Sequence, residues 1–184
     1  ASQIKPDAYG EIHWFLGIAG FFSYMAMFGT LNTITVYTAK NIKIQSTLYL
    51  ISLIASIVLS LMVIIVFPGF YEIDSAVILI AYVINTLAVG DLLGRKLYSA
   101  YSKYILVQKG LTLGLGLIFF YSFGYESILF ALGLSYVFYV KRIFMVFRTQ
   151  KINFNLVKER LGFITNNYIM LNVVLLNGQI DKLI

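Results

Sequence analysis

Charged side chains set in apolar sequence are the first residues here that could do chemistry. Asp91 and Lys109 each stand near the end of a long apolar run, and the two runs are consecutive. An unpaired charge in hydrocarbon costs about 2.5–3.5 kcal/mol on insertion scales, so each should pair, snorkel or face water. The spacing lets Asp91 and Lys109 approach one another. They could close the helix ends as an ion pair, or form a charged cavity mouth that handles an anionic substrate. Arg95, Lys96, Lys103 and Lys109 form a basic cluster in the same region. Such a cluster can attract a phosphate or pyrophosphate head group at the inner leaflet, and it can equally serve only to set membrane topology.

Uncharged polar residues are the second group. Asn32, Thr33, Asn85, Thr86, Gln108 and Thr112 fall within or near apolar runs, and Asn166, Asn167, Asn172 and Asn177 fall in the last one. Amides donate and accept, so they can bind sugar hydroxyls without a fixed charge. Interhelical hydrogen bonding uses the same residues. The Asn-rich last run is expected to face a cavity or a helix interface rather than lipid. The candidate substrate-binding set is therefore Asp91, Arg95, Lys96, Lys103, Lys109, Asn85 and Asn167. Two Gly-xxx-Gly pairs, Gly90/Gly94 and Gly110/Gly114 with Gly116 adjacent, put small residues on one helix face. They suit close packing, or a sliding contact between moving helices.

Much other chemistry is missing. There is no cysteine and one histidine, His13, so a thiolate site, a disulfide and a multi-histidine metal centre are excluded. No Gly-x-Ser-x-Gly, His-Glu-x-x-His, Walker or Asp-rich pattern occurs. Glu72 and Asp74, beside Pro68-Gly69, read as a solvated turn. The expectation is a protein that is not an enzyme and has no cofactor, no metal and no nucleic-acid partner. Trp14 and His13 on one side, and Tyr98, Tyr101 and Tyr104 on the other, read as interfacial aromatic belts.

The elements that must position these residues follow from composition. The 184 residues are 60% hydrophobic and 12% charged, where a soluble domain carries about 25% charged residues. That excludes a soluble globular domain, a disordered chain and a disulfide scaffold. It leaves an all-α, polytopic transmembrane helix bundle with about six spans. Crossing about 30 Å of hydrocarbon takes roughly 20 helical residues. The expected spans are Ile12 to Thr38, Thr47 to Phe67, Ser75 to Leu93, Tyr104 to Phe123, Ser127 to Val146 and Leu161 to Ile180.

The loops between them alternate in charge. Lys40 and Lys43 follow the first span, Arg95, Lys96, Lys103 and Lys109 surround the third loop, and Lys141, Arg142, Arg148, Lys151, Lys158 and Arg160 fill the fifth. The other loops carry no Lys or Arg. By the positive-inside rule the basic loops are cytoplasmic and both ends of the chain are outside. The organisation reads as a five-span bundle over 1–140, a basic cytoplasmic connector over 141–160, and a last helix over 161–184. The opening Ala1-Ser2-Gln3-Ile4-Lys5-Pro6 reads as the interior of a longer chain, and the end stops inside a helical pattern. A further helix is expected before Ala1.

Three stretches carry a family resemblance. Asp7-Ala8-Tyr9-Gly10-Glu11 leads into an apolar run with Phe28-Gly29-Thr30-Leu31 and the end Tyr37-Thr38-Ala39-Lys40. Gly94-Arg95-Lys96-Leu97-Tyr98 precedes a Gly- and Leu-rich span. Asn167-Tyr168 leads to Gln179-Ile180-Asp181-Lys182-Leu183-Ile184. Together they resemble the polysaccharide-biosynthesis (Wzx-like) flippase branch of the multidrug/oligosaccharidyl-lipid/polysaccharide exporter superfamily. On that resemblance the chain is the second to seventh helices, the N-terminal lobe of a two-lobed transporter of the cytoplasmic membrane. The resemblance implies a lipid-linked sugar substrate, flipped by rocking of the lobes around a polar cavity. Basic residues at the inner mouth would hold the pyrophosphate, and amides would contact sugars. Membrane lipid is then a partner. The rival reading is an accessory subunit docked to other membrane subunits, transporting nothing.

Overall fold

A stripe of small polar residues decides how the most apolar helix sits. Ser52, Ser56 and Ser60 recur every four residues, so they share one helical face. The computed structural model describes residues 6–67 and 72–183, and side chains over 9–67, 73–171 and 173. It buries all three serines and leaves Ile54, Ile57, Val58, Leu61 and Ile65 exposed. This inverts the arrangement of a soluble helix. Lipid is as apolar as leucine, so nothing drives the oily face inward, and small hydrogen-bonding residues make the contacts. Ser60 Oγ donates to Ala76 O at 3.1 Å, and Ser52 Oγ shares a hydrogen bond with Thr30 Oγ1 at 2.9 Å.

The described residues are all-α, as expected. In chain order the helices are α1 (Pro6–Met27), α2 (Thr30–Ala39), α3 (Gln45–Val66), α4 (Glu72–Gly94), α5 (Tyr98–Phe123), α6 (Ile128–Leu134), α7 (Val140–Thr149), α8 (Phe154–Lys158) and α9 (Leu161–Leu183), with short 3₁₀ turns at Tyr125–Ser127 and Val137–Tyr139. The centre is α4, which packs on α1, α2, α3 and α6. Of its apolar stretch 56% is buried, against 6% for α5, so α5 lies on the outside of the bundle. Gly90 and Gly94 explain how close α2 comes to α4. A Cβ on Gly94 would stand 2.6 Å from Thr38 Cβ and 2.9 Å from Thr35 O, so only glycine fits there. A polar cluster holds α5 to α6. Gln108 Nε2 donates to Thr112 Oγ1 at 2.8 Å, and Thr112 Oγ1 donates to Ser135 Oγ at 3.0 Å.

Two expected spans differ from single rods. The run from Ile12 to Thr38 is broken: Phe28 and Gly29 take positive φ of 44° and 71°, and α2 leaves α1 at 46°. The run from Ser127 to Val146 is split by the 3₁₀ turn at Val137–Tyr139. Among the described residues, four segments are long and apolar enough to cross a membrane: Gln45–Val66, Ile73–Gly94, Tyr98–Phe123 and Tyr125–Thr149. The bent α1–α2 pair makes a fifth if it crosses as one. The sixth expected span falls on α9. The side chains of its C-terminal half, including Asn172, Asn177 and Asp181, lie outside the described residues.

Candidate functional site at the basic end of the bundle

The first turn of α3 is unusually polar for so apolar a helix. Gln45, Ser46 and Thr47 are all buried. Ser46 Oγ donates to Lys151 O at 2.9 Å, and Thr47 Oγ1 accepts from the Asn153 backbone at 2.8 Å. These bonds draw the stretch after α7 onto the start of α3. Gln45 Nε2 reaches back to Thr38 Oγ1 at 2.7 Å, fixing the end of α2. The α2–α3 turn, the α4–α5 turn and Gln150 then meet around one polar cavity of about 600 Å³.

The two turns have the same construction. Ile42 N donates to Tyr37 O and Asn41 N to Thr38 O; Leu97 N donates to Leu92 O and Lys96 N to Leu93 O. Each is a Schellman motif, whose residue after the helix cap sits in the left-handed region. Asn41 and Lys96 occupy those places, at φ 59° and 58°. Glycine usually takes this position, because a Cβ costs energy there.

Behind the cavity lies a buried ion triad. Asp91 is 1% exposed. Arg95 Nε donates to Asp91 Oδ1 at 2.8 Å, and Arg142 reaches Asp91 Oδ2 with Nη2 at 2.9 Å and Nε at 3.0 Å. Arg95 is one turn beyond Asp91 on the same helix, whereas Arg142 comes from α7. One carboxylate thus closes the end of α4 and ties α7 to it. Tyr49 strengthens the joint: its hydroxyl donates to Leu87 O at 2.8 Å, and its ring meets Phe147 of α7 edge-on.

The pairing expected between Asp91 and Lys109 is not formed. Lys109 is exposed on α5, and Asp91 is already bonded by two arginines. The reason is helical phase. Gln108 is the residue α5 turns inward, and its neighbour Lys109, a hundred degrees round, points away. Lys103 is likewise exposed on α5. Arg95 and Lys96 line the cavity together with Lys43. Asn85 is half-buried on α4 and is not among the cavity-lining residues. Asn167, half-buried on α9, donates to its own helix at Phe163 O, 3.0 Å away. The structure therefore brings Asp91, Arg95 and Lys96 together and leaves Lys103, Lys109, Asn85 and Asn167 elsewhere.

Sequence reasoning did not single out Gln45, Thr38, Tyr49 or Gln150, and it treated Arg142 only as a loop charge. One signal was present: three consecutive polar residues, Gln45-Ser46-Thr47, open a run that is otherwise almost wholly apolar.

The class this fold defines is a helical membrane protein, with its basic turns gathered at one end. Compared with family models, curated proteins and solved structures, the chain matches none.

Proposed function

We propose that the chain is a lobe of a membrane transporter that flips a lipid-linked oligosaccharide or polysaccharide precursor across the cytoplasmic membrane by alternating access. The observation that carries this reading is the break between α1 and α2. Irregular backbone at membrane depth is tolerated where protein covers it or where it lines a cavity, and transporters build substrate paths from such broken helices. Here threonine hydroxyls add bonds around the break, Gly29 O also accepting from the Thr33 backbone at 3.3 Å. Thr30 Oγ1 donates to Met27 O, and Thr33 Oγ1 donates to Gly29 O at 2.9 Å. The break also touches a second element, because a Cβ on Gly29 would stand 2.8 Å from both Ile164 O and Tyr168 N of α9. A joint shared by α1, α2 and α9 is a place where half-helices can pivot.

On this reading the basic end faces the cytoplasm, consistent with the positive-inside rule. Arg95 and Lys96 meet the anionic part of the substrate first. Lys103 and Lys109 add positive potential from α5, and Asn85 and Asn167, away from this cavity, would meet sugars only farther along the path. The resemblance to the Wzx-like exporters supports the same reading.

A second reading, an accessory subunit in a larger membrane complex, is favoured by α5. Among the described residues, Gly110, Gly114 and Gly116 on that exposed helix have nothing within 4 Å of where a Cβ would be. The test is a flipping assay on proteoliposomes holding the protein and a fluorescent lipid-linked oligosaccharide. Transbilayer movement by the wild-type protein, slowed by Gly29→Ala and not by Gly124→Ala when each is compared per correctly incorporated molecule, is the expected result. Absence of movement, with a second membrane protein co-purifying in fixed ratio, sinks the transport reading in favour of the subunit.

A further inference from the structure

We propose that the cavity at the basic end binds a phosphate ester that also carries free hydroxyls, a phosphorylated sugar or polyol. The charge comes from Lys43, Arg95 and Lys96, and no carboxylate lines the cavity among the described residues. Arg95 gives its Nε to Asp91, while its side chain stays 41% exposed at the cavity. A guanidinium held by its inner nitrogen presents the outer pair as a fork matched to two phosphate oxygens.

The amides supply the other half. Gln45 is 3% exposed and Gln150 half-buried; each lines the cavity and has a buried Oε1 with no hydrogen-bond partner among the described residues. Native proteins rarely leave a buried polar atom unpaired, so such an atom calls for an explanation. Inorganic phosphate is compact and offers mostly acceptors, so it cannot serve the cations and both amide oxygens together. A neutral sugar would bring no charge to Lys43 and Lys96. A phosphate ester with hydroxyls matches both sets, since hydroxyls donate to the amide oxygens while phosphate accepts from the cations. Lys96 adds a third sign. It stands at a left-handed position that glycine fills more comfortably, so the chain keeps an ammonium at the cavity rim despite the backbone cost.

The same chemistry could arrive as a lipid head group or as a soluble ester. The inference sharpens the reading above by naming the group, but it does not require translocation. The experiment is isothermal titration calorimetry of the purified protein in neutral detergent. The probes are glucose-1-phosphate, glucose, inorganic phosphate, short-chain phosphatidylinositol and short-chain phosphatidylcholine. We expect glucose-1-phosphate or phosphatidylinositol to bind about tenfold or more tightly than glucose, phosphate or phosphatidylcholine. Whichever of the two esters is tighter identifies the source. Lys96→Gly removes one cation and eases the backbone, so its affinity for the ester should fall about threefold or more while its thermal midpoint rises. Gln150→Leu should weaken the ester and leave inorganic phosphate unchanged. Failure of both esters to bind overturns the proposal, as do wild-type affinities in both variants or inorganic phosphate binding as tightly as the ester. Ester binding without flipping would sink the transport reading alone, and flipping without ester binding would sink this site alone.

Discussion

Arg142 Nη2 stands 2.9 Å from Asp91 Oδ2, across 51 residues of chain, and joins α7 to the most buried helix of the bundle. Asp91 accepts at both oxygens, from Arg95 and from Arg142. The carboxylate is nearly inaccessible, while both arginines are partly exposed and so keep some hydration. This is the geometry in which a buried charge is supported: paired, bonded at both oxygens, and next to water.

Removing one member should therefore be costly. Asp91→Ala leaves Arg142 without its carboxylate, and a broken buried pair costs about 3–5 kcal/mol. Chemical unfolding in detergent should show a loss of that order. The double variant Asp91→Leu with Arg142→Met should recover most of it, because the one cation left without its carboxylate, Arg95, is 41% exposed and keeps its hydration. Lys109→Ala should stay within about 0.5 kcal/mol of wild type, as expected for an exposed residue. An equal loss at Lys109 would mean that Asp91 pairs across to α5 after all.

The two Gly-xxx-Gly pairs should behave oppositely. Gly94→Ala places a methyl 2.6 Å from Thr38 Cβ and 2.9 Å from a backbone oxygen. Overpacking of this kind costs about 1–3 kcal/mol. Gly110→Ala meets nothing within 4 Å among the described residues, so only helix propensity acts, in favour of alanine by up to about 1 kcal/mol. Thermal denaturation of both variants in the same detergent decides the matter. A destabilising Gly110→Ala would reveal a neighbour on that face.

Gly29 and Gly124 both have positive φ, of 71° and 85°. Alanine at Gly124 meets open space and should cost only backbone strain, about 1–3 kcal/mol. At Gly29 the same strain is joined by contacts of 2.8 Å with the backbone of α9, so the loss should be clearly larger. The extra disturbance should be local. Limited proteolysis should cut faster near Glu159 and Arg160, where α9 joins the bundle, in Gly29→Ala but not in Gly124→Ala.

The absence of cysteine makes orientation directly measurable. Single cysteines in place of Lys43, Lys96 or Lys151 should resist an impermeant maleimide added to intact cells, and react once the membrane is opened. A cysteine in place of Glu126, on a turn without Lys or Arg, should react from outside. The reverse pattern would place the basic end on the other side of the membrane.

Hydropathy made the long helices legible. The expected Thr47 to Phe67 and Ser75 to Leu93 lie close to Gln45–Val66 and Glu72–Gly94. The expected start at Tyr104 was late, because α5 begins at Tyr98 and carries Lys103 on its exposed side. Apolarity reports where hydrocarbon could lie, and a helix can continue past it. The same measure ran straight through Phe28-Gly29, since a sliding average of side-chain polarity does not register backbone φ. Gly29 was visible as a residue, but glycine is common inside membrane helices, and only its positive φ and the 46° bend mark it as a break.

What the sequence determined by itself was class and polarity: an all-α, membrane-compatible chain, with the cations between its apolar runs grouped around alternate connections. Transfer free energy is summed residue by residue along the chain, so composition and order suffice for it. The tertiary structure alone decided which cations share a site. Asp91 could have met Lys109, the nearer candidate on the next helix, and the rotation of α5 about its axis sends Lys109 outward while α7 brings Arg142 in. Coulomb attraction and hydrogen bonding act over a few ångströms. Their outcome depends on which helices are neighbours and how each is turned, and neither is written in any one stretch of residues.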